Sequence, residues 1–141
     1  MIKSRTAAAA GAIASVVAIV VTAFSSDLVR TTLSHAYSYP NATGLELDEA
    51  TSMTMTYLFA VAGAGLVISA LYLCSRPVAR SRWGWYLGGV VAALGLVVAS
   101  YNATQEFPVA VKLVYFLPVI AGALWVTSAK PGQSAPVAAA R

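Results

Sequence analysis

Charge is what this chain has least of. Only 10% of its 141 residues are Asp, Glu, Lys or Arg, against roughly 25% in an average soluble domain. The deficit is concentrated. No charge falls between Thr6 and Ser26, between Tyr57 and Ser75, or between Trp83 and Gln105. Meanwhile 59% of the residues are hydrophobic, and the mean hydropathy is +0.74. A small soluble fold buries only about two-thirds of the surface its chain exposes, so a soluble domain could not hide this much apolar surface. The uncharged runs approach the roughly 20 apolar residues that cross a hydrocarbon core. They are continuous and lack a period of two, unlike the alternating strands of about ten residues in a membrane barrel. The expected class is an all-α membrane protein.

Reactive groups are equally scarce. Cys74 is the one cysteine, so no intramolecular disulfide and no multi-cysteine metal site can form. His35 is the one histidine, which leaves no pair to hold a haem within one chain. No Asp or Glu lies inside an apolar run, which argues against proton-coupled transport through a titrating carboxylate. The acidic group Glu46, Asp48 and Glu49 lacks the glycine and spacing of an EF-hand loop. There is no phosphate loop, HExxH, CxxC or Ser-His-Asp set. The sequence therefore points to no catalytic residue, no metal site and no cofactor. Its net charge of +4 reflects topology and does not imply nucleic acid as a partner.

What is present is a pattern of four apolar spans, at about 7–24, 54–74, 83–101 and 108–128. They predict a four-transmembrane-helix bundle over 1–128, with an external loop at 25–53 and a disordered cytoplasmic tail at 129–141. Basic residues are retained on the cytoplasmic side of a membrane. Lys3, Arg5, Arg76, Arg80, Arg82, Lys130 and Arg141 all fall on one side if both termini are cytoplasmic. The other side carries all five acids: Asp27, Glu46, Asp48, Glu49 and Glu106. Only Arg30 and Lys112 are basic there. Trp83, Trp85 and Trp125 fall at the basic end, where amphipathic rings favour the interface. The Ala/Val/Arg-rich style suggests a bacterial inner membrane. A competing reading takes the first span as a cleaved secretory signal, although its apolar core exceeds the usual 7–15 residues.

Within the external loop, "DLVRTTLSHAY" places Val29, Leu33, Ala36 and Tyr37 on one helical stripe. This segment is expected to lie on the outer surface or to extend the first span. Thr43 and Glu46 have capping-box spacing, so a helix can begin there and run into the second span.

A polar phrase occurs twice. "SYPNAT" at 38–43 is echoed by "SYNAT" at 100–104. Each Asn-Ala-Thr is a formal glycosylation acceptor, but the preferred reading is a pair of capped turns. Similar apolar segments follow, "YLFAVAGAGL" at 57–66 and "YFLPVIAGAL" at 115–124. These echoes suggest two repeated helical hairpins related about an axis along the membrane normal. Chance resemblance between Ala/Val/Gly/Leu-rich segments is the competing explanation.

Small residues decide where membrane helices meet, because lipid gives no hydrophobic drive between them. Gly11, Gly65, Gly84, Gly88 and Gly95 are the expected packing positions. Lys112 is the one charged residue inside a span, near its outer end. It either snorkels outward, pairs with Glu106, Glu46, Asp48 or Glu49, or meets an anionic or quinone-like headgroup. Pro118 should kink the fourth span and free the Val114 carbonyl, with Tyr115 beside the kink. Three functions remain open. The first is a non-enzymatic accessory or assembly subunit, or a homo-oligomer, with the bilayer and a membrane protein as partners. The second is a small transporter or channel, with Thr51, Ser52, Thr54 and Thr56 near its mouth. The third is an enzyme acting on lipid or quinone through Lys112, Tyr115 and the external acids.

Overall fold

Inside hydrocarbon a backbone has no water to bond, so an apolar run must satisfy its own N–H and C=O groups as a helix. The computed structural model describes residues 4–36, 44–75 and 81–129, and every regular element among them is a helix. They are α1 (Ser4–Phe24), α2 (Ser26–Ala36), α3 (Leu45–Cys74), α4 (Arg82–Thr104), α5 (Val109–Val114) and α6 (Phe116–Ser128). Four stretches are long and apolar enough to cross a membrane: Arg5–Phe24, Leu45–Cys74, Arg82–Thr104 and Val109–Ser128.

The breaks have local causes. Between α1 and α2 the Ser25 hydroxyl donates to the Val21 carbonyl at 2.7 Å, a back-bond that bends helices. Helix α2 therefore extends α1 past a one-residue interruption and leans on α3. Val29 and Leu33 are buried as the stripe requires, whereas Ala36 is exposed; Tyr37 lies outside the described residues. Arg30 Nε donates to Asp48 Oδ1 at 2.9 Å and ties α2 to the first turns of α3. That helix begins with Gly44 as its cap, at a φ of 71°, a left-handed conformation that suits glycine. Thr43, the expected cap, lies outside the described residues. With 30 residues, α3 is about 45 Å long, longer than the roughly 30 Å of a hydrocarbon core.

Helix α1 is the centre. It packs on α3 and on α6, and α6 packs in turn on α4. The α1–α3 contact is a ladder of small residues. A Cβ on Gly11 would meet Ser69 Oγ at 2.9 Å, and one on Gly65 would meet Ser15 Oγ at 3.0 Å. Farther along, Ala18 joins Leu58 and Ala62 in a buried cluster completed by Val111, Val114 and Tyr115. A second cluster at the basic end contains Ala7, Ala8, Tyr72 and Trp125. Round the bundle the order is thus α3, α1, α6, α4. Helices α3 and α4 follow each other in sequence, yet they close the ring with little backbone contact.

Candidate functional site

The open side between α3 and α4 is where the bundle departs from close packing. Two tyrosines bridge it. The Tyr57 hydroxyl donates to Asn102 Oδ1 at 3.0 Å, toward the acid-bearing end. The Tyr72 hydroxyl donates to the Gly84 carbonyl at 2.9 Å, toward the basic end. Ser81 caps α4 beside this second bridge, accepting from the Gly84 N–H at 2.8 Å. Trp125 stacks edge-on against Tyr72, with centroids 4.6 Å apart, and lies against Gly88. Trp85 Nε1 donates to the Val126 carbonyl at 3.0 Å and closes this end of the bundle.

Two cavities lie along the cleft. The inner one, about 130 Å³, is walled by α1, α3, α4 and α6. Gly11, Gly65, Gly88, Gly95, Gly122 and Pro118 contribute to its wall, and among the described residues no Asp, Glu, Lys or Arg does. The outer one, about 510 Å³, opens at the acid-bearing end between α2, α3, the end of α4 and the α4–α5 connection. Tyr57, Tyr101, Phe107, Met53 and Glu106 line it.

Behind the cleft is a buried polar knot. The Tyr115 hydroxyl donates to the Leu58 carbonyl at 2.7 Å. Its single proton is then committed, so the Thr22 hydroxyl, 3.1 Å away, donates to the tyrosine oxygen. Both side chains are almost wholly buried. Tyr115 reaches this position because the fourth span breaks there. Pro118 has no N–H for the Val114 carbonyl, and the helix divides into α5 and α6 at Tyr115. One side chain thus links α1, α3 and the α5–α6 joint.

The sequence-derived candidates do not form one constellation. Tyr115 is engaged in the core, and Glu106 is exposed on the wall of the outer cavity. Lys112 is half-buried, and among the described residues no ion pair joins it to an acid. Asp48 is taken by Arg30. Glu46 and Glu49 sit in the first turns of α3, half-buried and exposed respectively. Among the described residues no three His, Cys, Asp or Glu side chains are grouped to hold a metal. The packing positions lie at contacts: Gly11 and Gly65 against α3 and α1, Gly88 and Gly95 against α6, and Gly84 buried beneath Tyr72.

The reading of "SYNAT" as a turn is corrected. Residues 100–104 are the last turn of α4, and Gln105 is its cap. Asn102 is fully buried, its side chain held beneath Tyr57, so it is closed to a glycosyl transferase. Its Nδ2 has no hydrogen-bond partner among the described residues. "SYPNAT" lies outside them. Thr22, Tyr57, Tyr72 and Asn102 were not singled out as site residues from sequence. Their only signal was a polar atom at helical spacing on a face that also carries alanine and glycine.

Comparison with known protein families, characterised proteins and solved structures finds no match. Function must therefore be argued from the site.

Proposed function

We propose that the chain is a multi-pass protein of the bacterial inner membrane with both termini cytoplasmic, acting without chemistry of its own as an accessory subunit or as a homo-oligomer. The observation that carries this reading is a pair of unused glycines. A Cβ built on Gly63 of α3 or on Gly89 of α4 meets nothing within 4 Å. Glycine costs a helix roughly 1 kcal/mol relative to alanine, and neither position recovers that cost by a close contact inside the bundle. Outward-facing small residues let another helix approach. The two helices concerned are also the least enclosed of the four candidate spans.

The buried side of α1 supports its retention after synthesis. Ala7, Ala8, Ser15, Ala18 and Thr22 all face neighbours, so cleavage would strip the bundle of its centre. The two-hairpin reading has support of its own. Tyr57 and Tyr115 open the matching segments, and each bonds to the first helix of the opposite hairpin, Asn102 on α4 and Thr22 on α1.

The decisive experiment is purification from native membranes in a mild detergent, followed by native mass spectrometry. A stable partner or a defined oligomer is expected, and Gly63→Leu with Gly89→Leu should weaken it. An inert monomer, unchanged by those substitutions, would overturn the proposal.

The uncharged inner cavity favours a second reading, a uniporter or channel for a small neutral solute. It predicts flux in reconstituted vesicles that bulky replacement of Gly95 reduces. If flux is seen and Lys112→Ala leaves it unchanged, the lysine has no part in it.

A further inference from the structure

From the lining of the outer cavity we infer that it binds an organic cation, a trimethylammonium or comparable alkylated amine. Its volume of about 510 Å³ falls within the roughly 300–1,000 Å³ of small-molecule sites. Three aromatic side chains line it, Tyr57, Tyr101 and Phe107, together with the Met53 thioether. Among the described residues, the one formal charge on its wall is the carboxylate side chain of Glu106. Among them no lysine or arginine lines it, and Arg30, the basic residue of the adjoining α2, is bonded to Asp48.

These residues match one ligand chemistry. An anion would be repelled by the carboxylate and would find no cation among the lining residues described. A neutral molecule would gain nothing from the exposed Glu106 carboxylate, which stays in water beside it. A cation with methylated nitrogen sheds water readily and gains from every ring face within about 6 Å. Glu106 adds long-range attraction at a site open to the aqueous side. The floor is held in place from below, because the Tyr57 hydroxyl is anchored on fully buried Asn102. That bond fixes the tyrosine ring before any ligand arrives, which lowers the ordering cost of binding.

The shared chemistry could arrive as a free solute or as a lipid headgroup. The test uses the full chain in dodecyl maltoside micelles, titrated calorimetrically with choline and with 3,3-dimethylbutan-1-ol, the neutral isostere in which carbon replaces nitrogen. Choline is expected to bind and the isostere to bind at least about tenfold more weakly. Glu106→Gln and Tyr101→Leu should each weaken choline by about threefold to tenfold. Glu49→Gln, an acid of the same end that does not line the cavity, should leave it unchanged. Helical content by circular dichroism checks that each variant is folded. Short-chain phosphatidylcholine, added as competitor, displaces choline more effectively than its molar concentration predicts if the natural source is a headgroup; equal displacement points to a free solute. Absence of choline binding, equal binding of the isostere, or insensitivity to Glu106→Gln would overturn the inference. None of these results depends on whether the protein has a membrane partner.

Discussion

Adjacent glycines on α4 give the sharpest contrast at the scale of one residue. A methyl group on Gly88 would sit 2.5 Å from Trp125 Cζ3, while one on Gly89 meets nothing within 4 Å. The indole is rigid and already wedged against Tyr72, so it cannot yield cheaply. Gly88→Ala is expected to destabilise the bundle by about 1–3 kcal/mol. Gly89→Ala should be neutral or slightly stabilising for the monomer, since alanine is the better helix former. Unfolding followed by far-UV circular dichroism in mixed micelles checks both. The buried polar atoms give a second contrast. Tyr115→Phe removes bonds to the Leu58 carbonyl and Thr22 and should cost about 0.6–1.7 kcal/mol, from the average to the maximum for hydrogen bonds between membrane helices. Asn102→Leu removes an amide nitrogen that has no partner among the described residues. Tyr57 remains partly exposed and can turn its hydroxyl to water. That variant should therefore hold its stability or gain about 1 kcal/mol. A clear loss would reveal an acceptor for Asn102 outside the described residues.

At the scale of an element, the division of the fourth span at Tyr115 links a backbone defect to a side-chain position. Pro118→Ala would let α5 and α6 join as one helix, because residue 118 could again donate to the Val114 carbonyl. The new hydrogen bond competes with the knot, since straightening the joint moves the Tyr115 ring away from Leu58. A double-mutant cycle between Pro118→Ala and Tyr115→Phe should accordingly show a coupling of at least about 0.5 kcal/mol. Elements of this kind were legible in the sequence. Apolar runs, charge-free in all but the fourth, and the proline in "YFLPVIAGAL" mark the four candidate spans and the place of the break. What could not be read was which helix stands beside which. Short connections suggest that α3 and α4 should be close neighbours, but the ladder of Gly11, Ser15 and Ala18 brings α3 to α1 instead. The turn assigned to "SYNAT" failed for a related reason. Asn and Thr favour caps, but burial against Tyr57 overrides that preference and keeps the segment helical. The outer cavity was least legible of all, because its lining comes from α2, α3, the end of α4 and the α4–α5 connection.

Taken as a whole, the sequence places its acids and most of its basic residues on alternate connections between the apolar runs, and its one cysteine can report on their orientation. Cys74 is exposed at the last residue of α3, immediately before the arginine-rich segment 76–82. With both termini cytoplasmic, a membrane-impermeant maleimide should label inverted vesicles and leave intact spheroplasts unlabelled. The reverse pattern would invert the topology.

The order of helices around the bundle also has a meaning in time. Chains are synthesised from the N-terminus, so α1 is already made when α3 emerges and its principal contact can form at once. For α4 the situation differs. Its main neighbour is α6, the last span to leave the ribosome, and α1 has already given one flank to α3. If the candidate spans insert as they are made, α4 would wait in lipid beside an unfinished bundle throughout synthesis of the connection that follows. A nascent chain halted before α5 would present its grooved glycine face, Gly88 to Gly95, to whatever insertion factor or sister chain is nearby.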